Sequence, residues 1–324
     1  AENTPPRHAR GDFKQALKGL CLCVAALLLA ATGLVAWLTA AEFRPAAVEE
    51  LAVQGTTEGP PPAAGDRITV LTLNTGYAGL GADADFFMDG GSGVNPTAAQ
   101  VERNLTGLMQ QLDGQTADVW FLQEVDTGSA RSGSQDQSAL YQERFRETSG
   151  GDCAGSYALN YACPFVPYPL PPIGKVRSGL QTLTRFPVSG ARRVALPCPF
   201  RWPVSTANLK RCLLVNNIPL ADASAQLVLV NLHLEAYDGG EGKAAQTEML
   251  LDFLTGEYEK GNYVIAGGDF NQTFPGALEA FPIRTEDLWT PGVLEAALLP
   301  QGWQFACDLG TPSCSLLNQA YDPA

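Results

Sequence analysis

The chain has 324 residues and a formal net charge of −13, from 34 acidic and 21 basic residues. So acidic a chain repels nucleic-acid phosphates at long range, which argues against a protein that binds nucleic acid through a broad basic groove. The acidity does not choose a substrate, and a local cation site could still bind one phosphate group.

The first predicted element is a transmembrane helix at residues 19–41, which are 23 residues without a charge. About 20 apolar residues suffice to cross the hydrocarbon core of a bilayer. Basic residues are concentrated before this segment, which predicts a cytoplasmic segment at residues 1–18 and an extracytoplasmic location for the rest of the chain. The alternative is a cleaved signal peptide, whose apolar core is normally about 7–15 residues long. Because residues 19–41 exceed that length, we expect an uncleaved single-pass anchor in the cell membrane.

Residues 42–66 are predicted to form a linker because they are rich in Ala, Pro, Glu and Gly. We expect an extended chain near the three consecutive prolines, and residues 46–53 could form a short helix. A candidate catalytic domain then extends from residue 67 to residue 324, a length that suits one two-sheet domain.

From residue 68 onward, apolar runs typical of buried strands alternate with two segments of helical periodicity. Several of these runs end at a polar residue, and ligand sites in α/β folds collect at the carboxyl ends of strands. We therefore expect a functional site at the strand ends. The predicted helices are residues 97–112 and 243–258. The predicted strands are residues 68–73, 119–122, 179–183, 192–196, 211–216, 227–234 and 263–266.

Six of the eight cysteines follow the apolar segment, which fits an oxidising compartment. Fifteen pairings of six cysteines are possible, and the short spacings favour three of them. A zinc site is disfavoured, because no CxxC motif follows the apolar segment and only His233 could supply an imidazole there. The favoured disulfides are Cys153–Cys163, Cys198–Cys212 and Cys307–Cys314.

Five polar residues at or near strand ends are the candidate site residues: Asn74, Glu124, His233, Asp269 and Asn271. The carboxylates of Glu124 and Asp269 and the amide oxygens of Asn74 and Asn271 suit Mg²⁺, which is commonly bound by one or two carboxylates and several waters. Of these, Glu124, Asp269 and Asn74 are the predicted metal ligands. A histidine can contact a phosphate or move a proton near neutral pH. Each residue also has a simpler interpretation, as a rim charge, a turn residue or a hydrogen-bonded half-buried histidine. Their occurrence as a set favours the functional interpretation.

Five segments, in this order, resemble the successive motifs of the endonuclease/exonuclease/phosphatase superfamily. They are LTLN (71–74), WFLQE (120–124), SGLQTL (178–183), NLHLE (231–235) and GGDFN (267–271). The QE and GDFN motifs are the specific ones. The resemblance implies an α/β fold, a four-layer α/β/β/α sandwich in which two mixed β-sheets pack face to face between layers of helices.

The resemblance also implies a role for each candidate residue. Glu124 is expected to bind Mg²⁺, or alternatively Mn²⁺, with Asn74 beside it. Asp269 is expected to contact the metal and to orient or activate the attacking water, or to serve the leaving group. Asn271 is expected to contact the phosphate, and His233 to form a hydrogen bond to the phosphate or to the leaving oxygen.

One motif of the superfamily has no counterpart in this chain. The final Asp-His pair is missing, because no histidine follows Asn271. We expect the last strands and this pair to lie beyond residue 324, and the alternative is a degenerate member of the superfamily. In either case we expect the present chain to bind metal weakly and to turn over slowly.

The predicted function is hydrolysis of a phosphodiester or phosphomonoester by metal-activated water, outside the cytoplasmic membrane. Candidate substrates are a phospholipid head group, nucleic acid and a small phosphate ester. The membrane itself is the second predicted partner, through the N-terminal helix. The alternative is a catalytically inactive binding or scaffold domain of the same fold.

Overall fold

The computed structural model describes residues 7–221, 224–282 and 291–319. In this part of the chain two five-stranded mixed β-sheets pack face to face, with helices on both outer faces. The predicted four-layer α/β/β/α sandwich, preceded by an apolar helix, is confirmed. The helices are α1 Arg7–Ala40, α2 Ala98–Asp113, α3 Gln137–Thr148, α4 Glu241–Glu259 and α5 Ala277–Ala280.

Each of the two sheets contains both parallel and antiparallel strand pairs. They are β1 Val48–Leu51, β2 Gln54–Thr56, β3 Val70–Asn74, β4 Val119–Asp126, β5 Cys153–Val166, β6 Gly174–Thr184, β7 Gly190–Ala195, β8 Cys212–Pro219, β9 Gln226–His233 and β10 Tyr263–Asp269. The first sheet has the order β2-β5-β6-β4-β3 and the second has the order β1-β7-β8-β9-β10. The β3–β4 and β9–β10 pairs are parallel, and the other pairs in these sheets are antiparallel. A short parallel pair follows, β11 Gln272–Thr273 and β12 Gly292–Val293.

The first four residues of β4 are all apolar, without the alternation of polar and apolar residues seen in a strand with one exposed face. Trp120 and Leu122 pack against α2 and α3, whereas Val119 and Phe121 pack against residues of the second sheet. Successive side chains of a strand point to opposite faces, so a strand that is covered on both faces needs apolar residues at every position. Helix α4 covers the outer face of the second sheet in the same way.

A buried hydrogen-bond network joins the two sheets. Asn231 on β9 is fully buried, and its side-chain oxygen accepts a hydrogen bond of 2.8 Å from Gln123 Nε2 on β4. Its Nδ2 donates to the backbone oxygens of Leu122 and Gln181, at 3.2 and 2.9 Å. Because a buried polar group without a partner is costly, this network selects one alignment of the two sheets.

Helix α1 contains the apolar segment that the sequence predicts. Residues Phe13–Ala40 form a stretch of 28 residues that is long and apolar enough to cross a membrane. The side chains of residues 13–33 are exposed. A signal sequence near an N-terminus has the same properties, so the apolar helix is confirmed and its role as an anchor stays a prediction.

Part of the predicted linker lies in the sheets. β1 pairs with β7 and β2 pairs with β5, at one edge of each sheet. The prediction of a linker, with an optional helix at residues 46–53, is therefore wrong for residues 48–56. The register places Glu49 opposite Arg193 and Glu50 opposite Arg192, and opposite charges across a strand pair are stabilising. The glutamates that suggest a linker are thus complementary to the basic residues of β7.

The predicted disulfides are not formed, because all eight cysteines are free thiols in the structure. Cys153 and Cys163 lie on the single continuous strand β5, and ten residues of strand span about 33 Å. A disulfide requires Cα atoms within about 7 Å of each other. The prediction that spacing selects Cys153–Cys163 is wrong, because the residues between these cysteines form a strand and not a turn.

Replacing Asn231 by alanine is expected to destabilise the domain by about 2–4 kcal/mol, because Gln123 and two buried carbonyls lose their partner. Urea unfolding monitored by circular dichroism measures this change. Gln115→Ala, at an exposed position after α2, is the control and should change the free energy of unfolding by less than about 0.5 kcal/mol. An Asn231→Ala variant as stable as that control would contradict the role of the network.

Candidate active site

Two pairs of parallel strands bring the candidate residues to one edge of the sandwich. Asn74 is the last residue of β3, and Glu124 lies near the end of the neighbouring strand β4. His233 and Asp269 are the last residues of β9 and β10, and they are direct partners in the register. The five candidate residues are therefore brought together, two from the first sheet and three from the end of the second.

The side chain of Asn74 links the two sheets at this edge. Its Nδ2 donates to Glu124 Oε1 at 3.0 Å and to Asp269 Oδ2 at 2.9 Å. Its oxygen accepts a hydrogen bond from the backbone amide of Gly76 at 3.0 Å. In this arrangement the amide nitrogen, and not the oxygen expected to face a metal, lies between the carboxylates. Asn74 thus positions the two carboxylates relative to each other.

Glu124 has an unusual backbone conformation. Its φ is 55°, in the left-handed region that non-glycine residues seldom adopt. The β4–β6 register shifts between Leu122 and Val125, so a bulge accommodates this residue and turns its side chain towards the site. Backbone strain of this kind is typical of functional sites.

The environment raises the pKa of Glu124 above its ordinary value. Burial disfavours the charged carboxylate most, and nearby Asp269 adds to the effect, whereas Arg131 and the Asn74 hydrogen bond oppose it. A carboxylate in such a place gains most from a bound cation.

Asp269 behaves in the opposite way. Burial would raise its pKa, but neighbouring His233, the Asn74 side chain, the backbone amide of Asn271 and Arg211 outweigh burial and lower it. The Asn271 amide donates to Asp269 Oδ1 at 2.9 Å. Asp269 is therefore the carboxylate that is held ionised.

His233 is 5% exposed, and its Nε2 lies 3.7 Å from Asp269 Oδ2. Burial, with a contribution from nearby Arg211, lowers its pKa to about 3, although Asp269 acts in the opposite direction. At neutral pH the imidazole is uncharged, and it can donate or accept one hydrogen bond but carries no positive charge.

Asn271 and the glycines before it shape the turn that follows β10. Asn271 has a φ of 50°, and its Nδ2 donates to the backbone oxygen of Leu234 at 2.9 Å. Gly268 has a φ of 142°, and a Cβ there would lie 2.0 Å from the Leu232 oxygen. The GGDFN motif thus needs glycine for the close approach of β9, as expected for a backbone position with positive φ.

Three basic residues that the sequence analysis did not place in the site surround the carboxylates. Arg131 forms a bidentate pair with buried Asp126, with both N–O distances 3.0 Å. Arg211, 4% exposed, pairs with buried Glu235 at 3.5 Å. Its Nη1 is buried and has no hydrogen-bond partner among the described residues. Lys243 at the start of α4 is 7% exposed.

These cations came from segments without a motif. From the sequence, Arg211 is predicted as the first residue of a strand and Lys243 as the first residue of a helix, without a role in the site. Burial lowers the pKa of Lys243, whereas Asp238, Glu235 and Asp269 act to raise it. The one signal available in the sequence was Glu235 in NLHLE, an acidic residue on a buried strand end that requires a basic partner.

The donor set fits a divalent cation of the Mg²⁺ type. Glu124 and Asp269 offer two carboxylates that one amide nitrogen holds close together, and Mg²⁺ needs only one or two carboxylates plus water. Within the described ranges, no three or more His, Cys, Asp or Glu side chains are placed so that they could hold a metal ion by themselves. A cage made wholly of protein ligands, as in structural zinc sites, is therefore not present in that part of the chain.

The depressed pKa of His233 makes stability depend on pH. The unfolded chain binds a proton at His233 near pH 6.5, whereas the folded chain does so only near pH 3. This term therefore lowers stability as the pH falls from about 6.5 towards 3, by about 2 kcal/mol between pH 7 and pH 5. Between pH 7 and pH 5, the free energy of unfolding of His233→Gln should fall by about 2 kcal/mol less than that of the wild-type protein. Urea unfolding in metal-free detergent buffer measures the difference. Gln115→Ala, at the exposed position after α2, is the control and should keep the wild-type pH dependence. A His233→Gln variant with the wild-type pH dependence would contradict the assignment.

Similar solved structures include an endonuclease/exonuclease/phosphatase from Beutenbergia cavernae DSM 12333, with 21% identity, 57% of this chain and 43% of that chain covered and a TM-score of 0.37. The human Nocturnin catalytic domain with bound sulfate has 17% identity, coverages of 69% and 68% and a TM-score of 0.39. ANGEL2, a 2′,3′-cyclic phosphatase, has 17% identity, coverages of 72% and 59% and a TM-score of 0.42.

The chain thus spans less than half the length of the Beutenbergia protein. No curated protein matches it. The model of the Endonuclease/Exonuclease/phosphatase family matches residues 71–305, which is more than half of the chain and includes all five candidate residues. The chain belongs to the endonuclease/exonuclease/phosphatase family.

Proposed function

We propose that this domain hydrolyses phosphate esters with the help of a divalent cation bound at Glu124 and Asp269. The observation that carries the proposal is the convergence of two carboxylates from different sheets on one amide, Asn74 Nδ2, at 3.0 and 2.9 Å. A domain that served only as a scaffold would gain nothing from placing two carboxylates so close together, because their repulsion costs stability.

The two carboxylates have different tasks in this proposal. Glu124, whose pKa is raised chiefly by burial, would hold Mg²⁺ or Mn²⁺ in place of a proton. Asp269, whose pKa is lowered, remains ionised and would accept a hydrogen bond from the attacking water and orient it. When bound, the metal supplies charge neutralisation and lowers the pKa of water.

The remaining residues would bind the phosphate group. His233 is neutral above about pH 3, so it can donate a hydrogen bond to a phosphate oxygen or to the leaving oxygen. Buried Arg211 has an Nη1 without a partner among the described residues, and a phosphate oxygen would satisfy it. Asn271 Nδ2 donates one hydrogen to the Leu234 oxygen, and its second hydrogen would contact the phosphate.

We further propose that α1 spans the cell membrane, with the domain on the outside. The length and the hydropathy of Phe13–Ala40 support a span, and the basic residues that precede it favour a cytoplasmic N-terminus. A phospholipid head group, nucleic acid and a small phosphate ester all carry the required phosphate, and loops outside the sandwich decide among them.

One observation favours a second candidate, an inactive domain that binds phosphate. A histidine with a pKa of about 3 is a poor proton donor at neutral pH, since an effective general acid has a pKa near the working pH. Binding alone needs only the hydrogen bond and the nearby cations.

Glu124→Gln and Asp269→Asn should each reduce Mg²⁺-dependent hydrolysis of bis-p-nitrophenyl phosphate at least about 100-fold, because each removes a charge that the metal or the water needs. The exposed Glu102→Gln on α2 is the control and should retain the wild-type rate. Electron paramagnetic resonance of Mn²⁺ gives a second measurement that does not depend on turnover, and Glu124→Gln should weaken Mn²⁺ binding.

The two measurements separate the candidates. Mn²⁺ binding that depends on Glu124, without hydrolysis above the Asp269→Asn background, would favour the binding domain. Absence of both would refute the proposed metal site.

A further inference from the structure

The last turns of α1 dock on the catalytic domain. Leu38 is 4% exposed, and together with Leu34 it packs against a cluster formed by the β5–β6 hairpin. Thr39 Oγ1 accepts a hydrogen bond of 3.0 Å from Trp202 Nε1, and Glu42 pairs with Lys210 at 2.8 Å. Since residues 13–33 are exposed, the helix leaves the domain at Leu34.

The domain surface around this exit carries exposed apolar side chains. We call it the apolar rim, which consists of Tyr168, Leu170, Trp202 and Val204. They are 73%, 85%, 64% and 57% exposed. The first two lie in the loop between β5 and β6, and the other two lie in the connection between β7 and β8. Both segments contribute to the cluster that holds Leu38, through Val166 and Ile173 on one side and Ala207 and Leu209 on the other. Exposed apolar groups on neighbouring segments are typical of an interaction site.

The length of α1 indicates where a bilayer that it spanned would end relative to the apolar rim. A span of about 20 residues counted from Gly19, the first residue of the charge-free stretch, ends at Leu38. Leu38 is the residue that packs against the hairpin, and Thr39 binds Trp202. The hydrocarbon core would therefore end where the apolar rim begins, and Trp and Tyr favour this boundary of a bilayer.

Residues 153–221, which include the apolar rim, carry a net positive charge, whereas the rest of the chain is negative. Residues 153–221 contain eight basic residues and no acidic residue, so the remainder of the chain carries −21, the chain's −13 less these +8. Lys175 and Arg177 are exposed at the start of β6, directly after the loop that carries Tyr168 and Leu170, and Arg201 is exposed beside Trp202. Basic residues beside exposed apolar ones suit the anionic surface of a membrane.

The apolar rim lies on the active-site edge of the sandwich. In the antiparallel β4–β6 pair, Val125 opposes Gly179, so the hairpin extends from the level of Glu124 to Gly174, about 16 Å farther along. The connection that holds Trp202 enters β8 at Cys212, and its neighbour Leu213 opposes Leu232, next to His233. Both segments therefore project beyond the strand ends that carry the site.

We propose that the apolar rim is a second membrane contact, inserted at the boundary between head groups and acyl chains of an anionic bilayer. Together with α1 it would hold the domain with its active-site edge towards the lipid surface. The proposal requires α1 to lie in a membrane, and it does not require the site to be catalytic. It favours a phosphate ester at the bilayer surface over one free in solution.

Tryptophan quenching in the full-length protein tests the contact. The protein is reconstituted in vesicles of phosphatidylcholine and phosphatidylglycerol that carry bromine near the glycerol end of the acyl chains. Trp202→Phe should remove a quenched part of the emission, and Tyr168→Trp should add a quenched part. Tyr263→Trp is the control, since Tyr263 is 53% exposed at the start of β10, opposite the active-site edge. Its added emission should not be quenched.

Trp37 in α1 reports on the helix itself, through the emission that Trp37→Phe removes. Quenching of Trp37 without quenching at positions 202 and 168 would overturn the apolar rim as a lipid contact. Equal quenching of Tyr263→Trp would overturn the orientation, and an unquenched Trp37 would overturn both the span and the contact. Because no outcome depends on turnover, failure of the hydrolysis proposal is seen separately.

Discussion

The hydrogen bond between Gln123 and Asn231 is the constraint on which the site depends. Gln123 directly precedes Glu124, and Asn231 lies two residues before His233. Apolar packing between two sheets tolerates small sliding motions, because it is not directional. A buried amide pair does not tolerate them, since any slip leaves polar groups unsatisfied. The network therefore fixes the distance between the carboxylates of β4 and β10 to within the reach of a single amide, Asn74.

The two carboxylates of the site differ in pKa because their surroundings differ. Both contact Asn74 Nδ2, yet the pKa of Glu124 is raised and that of Asp269 is lowered. The pKa values differ because Asp269 also accepts a hydrogen bond from the Asn271 amide and lies beside His233. For Glu124, burial disfavours the charged form and is the main influence on the pKa. Neighbouring titratable groups whose pKa values are shifted in opposite directions are typical of functional sites. In such a site one group stays ionised while the other can bind a proton or a cation. A cation in place of the proton on Glu124 would relieve the cost of burying it.

The parts of the fold that could be predicted are those in which local sequence and burial agree. Strands β3, β4, β9 and β10 are short apolar runs, of which β4 and β9 are buried along almost their whole length. The ends of β3, β4 and β10 carry Asn74, Glu124 and Asp269. Strand β5 was missed because CAGSYALNYACPFV contains small, polar and proline residues of low strand propensity. Its stability comes from pairing with β6 along almost its whole length. Long-range pairing also explains β1 and β2, and tertiary contacts alone bring Arg211 and Lys243 to the site.

The uneven distribution of charge gives the membrane-facing arrangement a physical basis. At physiological ionic strength the Debye length is about 8 Å, so attraction between a basic surface and anionic lipid acts only at short range. It cannot recruit the domain from solution against the −21 carried by the rest of the chain. It would orient a domain that a helix already holds at the surface, because the acidic faces would be repelled while the exposed Lys175, Arg177 and Arg201 would be attracted. The helix would therefore supply proximity, and the apolar rim with its basic neighbours would supply orientation, so that the carboxylates at the ends of β4 and β10 meet phosphate groups at the surface of the bilayer.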